Sequence, residues 1–452
     1  MKTNLSLDIE PSKVMNELQI YFSLLDNESA HLESLFENFP FQTILDYYHK
    51  VGKHFVREEI LNKLLQIEEK VNHRLAGDKS FYSFLLQQFL VMLLDKHKGI
   101  YDYHTYTGTR IISELVIPDD LEFIEYLEVQ ILHLAAILSD IIRFECHTLI
   151  GADKRFQRNL SSNHHLKRII FHVLRAMKVY SPFSYTLQLP KNLDETLKIL
   201  QTELDSNETL SKKLADMLLK VSEDILEQLP ESSLKALNLA ILPVYTIHDE
   251  YMFIRCLQSL ETIFSIVVKG FQTCLSQIKI QKFKESITIM ETLKAILDCG
   301  PALFRVVMMM EKDNFAAFRI YTEGASAIQS KQYKLIEILA AEPLEERLNS
   351  PAFNSVPSIK KDYLKGNISN FQTYMRDYLT DESVCKQPIF EEWIKCMKRF
   401  EETFISWNNM HFKMAVKMIG NEQGTGYTLG PSYLEKYASR KLFPFLHENE
   451  LT

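Results

Sequence analysis

Four short segments in the last 205 residues hold residue types from which a binding or catalytic site can be built. His248-Asp249-Glu250 puts two carboxylates where a helix would begin, facing the positive end of its macrodipole. Phe253 and Leu257 follow, four residues apart and so on one helical face. Arg319 stands in the stretch Phe318 to Ser330. A guanidinium fork can hold a carboxylate bidentately and stays charged in a dry pocket, although on residue type alone Arg319 reads as a surface ion-pair residue. His411 comes four residues after Trp407, late in a long run of helical periodicity. A lone imidazole on such a face is either a core residue or a metal ligand. Gly424-Thr425-Gly426 completes the set, with Thr425 fourteen residues after His411. Glycines let the backbone fold closely over a ligand and the hydroxyl can accept a hydrogen bond from an amine, while a helix C-cap and ordinary loop would look the same.

Several chemistries lack their minimum parts. Gly424 to Gly430 reads GxGxxxG after a helix, not the GxGxxG between strand and helix that a dinucleotide fold needs. No HExxH, GxxxxGK[ST] or GxSxG occurs, which removes zincin, P-loop and α/β-hydrolase readings. A net charge of −8 without clustered Lys and Arg argues against a nucleic-acid partner. Six scattered cysteines without CxxC pairing fit reduced structural thiols. Met1 to Pro11 lacks the basic-then-apolar layout of a secretory signal, so a cytoplasmic protein is expected. The most apolar stretch, Phe84 to Leu94, is too short to span a bilayer, and no membrane partner is expected.

The elements that must position these segments are helical. Only 13 Gly and 14 Pro interrupt the chain, and apolar residues between them recur at helical spacing. The spacing predicts helices near 12–25, 55–75, 80–97, 120–150, 162–178, 192–204, 208–228, 249–277, 281–298, 301–312, 328–346, 388–420 and 431–442, an all-α fold. No fixed-period repeat is present. Leu229-Pro230-Glu231-Ser232-Ser233 breaks two helical patterns and suggests a boundary between a helical N-terminal region, 1–230, and a second domain, 231–452. Tyr101, Tyr103, Tyr106, His164 and His165 in the first region read as surface or core residues.

Taken together and in order, the four segments resemble the tryptophan 2,3-dioxygenase family of haem-dependent aromatic amino-acid dioxygenases. His248-Asp249-Glu250 is similar to the family motif that opens the distal wall of the haem pocket. Phe318-Arg319 followed by Ala325-Ser326-Ala327-Ile328-Gln329-Ser330 resembles the family's Phe-Arg and Ala-Ser-Gly-Phe-Gln-Ser stretch, and Trp407 and His411 resemble its Trp-xxx-His proximal motif. The resemblance implies a helical haem-dioxygenase-like bundle preceded by the long N-terminal region. It implies haem b held by iron to His411 with Ser326 beside it, Arg319 on the carboxylate of an amino acid and Thr425 on its ammonium. Phe253, Leu257 and Phe315 would face the substrate ring. O2 and a small aromatic amino acid would be its partners, and a homo-oligomer is expected.

The departures are specific. The family's distal histidine falls at Leu257, which accepts no hydrogen bond from an indole N–H; leaving that group buried and unpaired costs roughly 1–3 kcal/mol. Phe315 replaces a substrate-side tyrosine and Tyr427 a loop glycine, while Ala415, four residues after His411, provides no thiol for a covalent haem link. The leading expectation is an oxygenase that inserts oxygen into tryptophan or a tryptophan-like amino acid, by indole C2–C3 cleavage if it follows the family. A haem monooxygenase or peroxygenase on another aromatic substrate, and a non-catalytic haem-binding or interaction protein, stay open beside it.

Overall fold

A computed structural model describes residues 10–27, 31–114, 117, 120–153, 160–425 and 430–447. The fold is all-α, with no β-strand among the described residues. Its axis is the 31-residue helix His248–Ile278, buried around most of its circumference, which is what an apolar pattern on every face requires. This helix is long and apolar enough to cross a membrane, but 83% of its most apolar window is covered by the rest of the protein. Helices Phe123–Leu149, Phe283–Asp298 and Lys331–Ala340 pack against it. At Gly270 an added Cβ would fall 2.6 Å from Leu293, so the absence of a side chain sets how closely Phe283–Asp298 approaches.

Polar anchors fix the axial helix where its sequence is charged. Arg255 is fully buried and pairs with Asp140 on Phe123–Leu149, Nε to Oδ2 2.8 Å, while Tyr251 donates to the same carboxylate at 2.7 Å. The two arginines beside it, Arg255 and Arg143, and the hydrogen bonds it accepts outweigh burial and hold the Asp140 carboxyl far below the usual range. Glu250 accepts the backbone N–H groups of Val244 and Tyr245 at 2.7 and 2.9 Å and so locks the turn before the helix.

The second long helix, Pro388–Ile419, starts with proline in its first turn and ends at Gly420, whose φ of +58° suits a residue without Cβ. It lies along Phe283–Asp298. The two largest apolar cores are each built from distant parts of the chain. One joins Phe123–Ile225 to Ile247–Phe445, and the other joins Val14–Ile112 to Leu226–Leu242 with Ala136 and Ile137. Elements from both sides of Pro230 thus share each core.

The predicted long helices are present with shifted ends. The helix predicted over 301–312 is Gly300–Val307, which ends before Met308–Glu311, and Lys312–Arg319 is a separate helix beyond the predicted span. Phe41–Val51, Glu231–Leu239 and Phe371–Thr380 are helices that the spacing did not reveal.

Candidate functional site

The face of the axial helix carrying Phe253, Leu257, Leu260, Glu261 and Phe264 looks across a cavity at the face of Pro388–Ile419 carrying Trp407, His411, Met414 and Met418. Both sets follow helical spacing, so each helix contributes one stripe. Lys312–Arg319, Lys331–Ala340 and Pro431–Ala438 close the sides. The empty space, counted with the open solvent at its mouth, is about 1710 Å3.

All seven residues singled out from the sequence line this cavity: Phe253, Leu257, Phe315, Arg319, Ser326, His411 and Thr425. Phe253, Phe315 and Phe318 form an aromatic group with centroids 5.4–5.6 Å apart. Asp249 explains their placement, because its carboxylate accepts the Glu311 backbone N–H at 2.8 Å and ties the start of Lys312–Arg319 to the axial helix. The His248-Asp249-Glu250 motif therefore positions the wall from behind it. His248 itself is fully buried on Glu145, Nε2 to Oε2 2.8 Å.

His411 lies between the rings of Trp407 and Phe304, at 5.8 and 6.4 Å. Apolar surroundings push its imidazole down to about 4, so the ring is neutral near pH 7. Its residual exposure is to the cavity, and it makes no hydrogen bond among the described residues. Gly300 helps to hold this geometry: an added Cβ would meet Trp407 Cδ1 at 2.8 Å. No group of three or more His, Cys, Asp or Glu that could cage a metal occurs among the described residues. The donor set at His411 is a single neutral nitrogen, which suits a metal whose other ligands come with a cofactor.

Arg319 both lines the cavity and makes an ion pair, Nη1 to Glu422 Oε2 2.8 Å. The arginine is 15% exposed and its partner 71%, so a solvated carboxylate occupies the fork expected to take a substrate. Thr425 and Gly424 line the mouth. Gly430 closes this loop with φ +66°, where a Cβ would lie 2.1 Å from the Glu422 carbonyl oxygen. Gly426 and Tyr427 lie outside the described residues. Ser326 begins a short 3-10 turn, Ala327–Gln329, and its N–H donates to Gln329 Oε1 at 3.0 Å; the same oxygen accepts the Tyr103 N–H at 3.0 Å.

That contact introduces the residues missed in the sequence. Tyr103 and Tyr106, read there as surface or core, are buried and line the cavity. Tyr103 donates to Glu261 Oε1 at 3.0 Å, and Ser330 also bonds this carboxyl. Burial pushes Glu261 up to about 7. Lys334, one helical turn after Ser330, is 2% exposed and burial draws its ammonium down to about 8. Tyr333 donates to Asn408 Oδ1 at 2.9 Å, linking this helix to the one bearing His411. Glu261 could have been found from its position four residues after Leu257. Nothing local marked Tyr103 or Lys334.

No family model matches the chain. It is similar to the tryptophan 2,3-dioxygenase of Paraburkholderia phytofirmans, 22% identical over 236 residues, covering 45% of this chain and 77% of that protein. The tryptophan 2,3-dioxygenase of Bacillus anthracis is 23% identical over 232 residues, 44% of this chain and 82% of the relative. That of Bradyrhizobium diazoefficiens is 23% identical over 235 residues, with 45% and 84% covered.

Proposed function

From a chain that matches tryptophan 2,3-dioxygenases over part of its length, we propose a haem-dependent oxygenase acting on tryptophan or a tryptophan-like amino acid, with haem b on His411. The observation that carries the reading is the neutral His411 imidazole, without a hydrogen bond among the described residues, facing a cavity whose opposite wall is aromatic and aliphatic but for Glu261. These residues fit the group: one nitrogen for iron, and apolar stripes on both sides for a flat macrocycle. When bound, haem supplies the activation of O2, and the protein supplies position and a dry environment.

Arg319 would hold the amino-acid carboxylate once its fork is released from Glu422, and Thr425 would accept a hydrogen bond from the ammonium. Phe253 and Phe315 would grip the ring edge to face, and Leu257 would fill the space nearest the reacting carbons without reading the indole N–H. Ser326 would flank the cofactor. Closing this wall against water keeps O2 and substrate in reactive alignment. The haem domain expected at 231–452 would draw on the N-terminal region for Tyr103 and Tyr106, and a cytoplasmic homo-oligomer is the working form we expect.

One observation favours mono-oxygenation as a second reading. Glu261, a turn from Leu257 in the same wall, is a carboxyl that can give up a proton near neutral pH. Cleaving O2 so that one atom leaves as water needs two protons and two electrons from an external reductant, whereas inserting both atoms needs neither. The test is the absorption spectrum of the full chain with haem, kept reduced by an excess of an electron donor such as ascorbate, with tryptophan and O2, followed by product mass. A Soret band and a gain of two oxygen atoms support the first reading, a gain of one supports the second, and no Soret band overturns both.

A further inference from the structure

Helices Asn163–Tyr180 and Gly300–Val307 pack against each other and bring cations together at the surface. On the first, Arg168, His172 and Arg175 stand four and three residues apart and so share one face. Arg168 and Arg175 are exposed and His172 is half-buried. Arg305 on the second helix, exposed between buried Phe304 and Val306, joins them. The charges that act on His172 are the guanidinium groups of Arg168, Arg175 and Arg305, with no carboxylate among them. Burial and these like charges hold its imidazole below the ordinary histidine value. Other exposed cations of this acidic chain are paired: Lys178 on the same helix with Asp194, Arg376 with Glu342, Arg399 with Glu291 and Glu392. Among the described residues Arg168, Arg175 and Arg305 make no hydrogen bond or ion pair. The Arg175 guanidinium lies over the Phe171 ring, 5.7 Å from its centroid, which limits where its fork can point. Like charges one turn apart weaken a helix, so this gathering costs stability until an anion lies among them.

We infer that Arg168, Arg175 and Arg305, gathered around His172, form a binding site for a phosphate monoester carried by a small molecule. Guanidinium forks match phosphate oxygens bidentately, and a monoester brings three such oxygens and a charge of about −1.5 to −2 near pH 7. A lone carboxylate has one charge and two oxygens, too few for three forks. An acidic peptide spreads its charges along a chain, whereas these cations converge on one imidazole. None of the four residues lines the cavity, so the site does not rest on the haem reading.

The test titrates the full chain at low salt with glycerol 3-phosphate, with inorganic phosphate and with phosphatidylcholine vesicles containing phosphatidic acid, followed by calorimetry. Wild type, Arg168→Gln, Arg305→Gln, the triple change of Arg168, Arg175 and Arg305 to Gln, and Lys178→Gln are compared, with helicity and melting checked for each. Glycerol 3-phosphate should bind wild type saturably, one per chain. Each single arginine change should weaken it about five- to tenfold, between the values for a solvated and a buried charge-assisted bond, and the triple change should abolish binding. Lys178→Gln removes one positive charge from the same helix outside the cluster and should leave the affinity as it is. The His172 imidazole resonance, assigned with His172→Gln, should titrate at higher pH with saturating glycerol 3-phosphate than without, because an anion then replaces unopposed like charge. No saturable binding, an unmoved His172 titration, or an equal loss in Lys178→Gln and the arginine variants overturns the proposal. Binding of inorganic phosphate without glycerol 3-phosphate would mean an adventitious ion only, and binding confined to the vesicles would give the surface to a membrane; either overturns the small-molecule assignment.

Discussion

The Arg319–Glu422 pair yields a prediction with a sign opposite to the usual effect of breaking an ion pair. Glu422 is 71% exposed, so its bond to Arg319 is that of a solvated pair, worth about 0.2–1 kcal/mol. An amino-acid carboxylate entering the fork must displace it. Glu422→Gln should therefore strengthen substrate binding by about 1.4- to 5-fold, the range corresponding to that energy. Arg319→Leu should weaken it by about ten- to 150-fold, as expected for loss of a charge-assisted bond of roughly 1.5–3 kcal/mol. The two changes act on one contact and should not add: in the Arg319→Leu background, Glu422→Gln should do nothing. The assay is titration of the haem-loaded protein with L-tryptophan, followed by the Soret shift at low and high salt. The gain from Glu422→Gln should shrink as salt screens the exposed pair. Equal or weaker tryptophan binding by Glu422→Gln at low salt would refute the competition, and full additivity of the two changes would place Arg319 away from the substrate.

Three further outcomes are expected. His411→Ala should abolish stable haem binding while circular dichroism shows the helices intact; a Soret band at normal haem content would remove His411 as ligand. With Leu257 unable to read an indole N–H, the wild type should bind 1-methyl-tryptophan about as well as tryptophan, and Leu257→His should shift preference toward the free N–H. A strong wild-type preference for tryptophan that the variant does not increase would assign that recognition elsewhere. Glu261 is pushed up to about 7, so the folded state keeps a proton that the unfolded chain releases in the ordinary carboxylate range. Its contribution to stability is complete below that range and is lost as pH rises through 7. Glu261→Gln, which can still accept from Tyr103 and Ser330, should flatten this loss in urea melts at pH 5 and pH 8, and an unaltered slope would show that the carboxyl is charged throughout.

How much was legible in the sequence follows from how local each signal is. His248–Ile278 and Pro388–Ile419 could be read because their apolar periodicity runs for eight turns or more, and Pro388 and Gly420 mark the ends of the second. The seven residues that share the cavity could be picked out because their spacing resembles a known family. The span 301–312 runs past the end of Gly300–Val307 because Met308–Met310 continue the apolar pattern, and Lys312–Arg319, only two turns long, carries too short a pattern to be read. Phe371–Thr380 does carry a start signal, Asn370 accepting the Thr373 N–H at 3.0 Å, but its one-sided apolar pattern is short. Lys334 reads as a solvated lysine in any window of sequence. Its burial comes from Phe353 and Arg347, on other elements. Tyr103 reaches Glu261 across 158 positions, a pairing that only tertiary structure creates.

The wide separation of the cavity walls also bears on when during synthesis the site can exist. Tyr103 and Tyr106 are made early, the axial helix in mid-chain, and Trp407, His411 and Pro431–Ala438 near the end. A ribosome-bound chain can complete the core that joins Val14–Ile112 to Leu226–Leu242 while the second wall of the cavity has yet to emerge. During that interval the stripe Phe253, Leu257 and Phe264 and the charged Lys334 have no partners across the gap. If the cavity takes the proposed haem, loading would be a post-translational step, and a ligand that binds only the finished fold stabilises it in proportion to the logarithm of its free concentration over Kd. Haem supply would then set the lifetime of newly made protein as well as its activity.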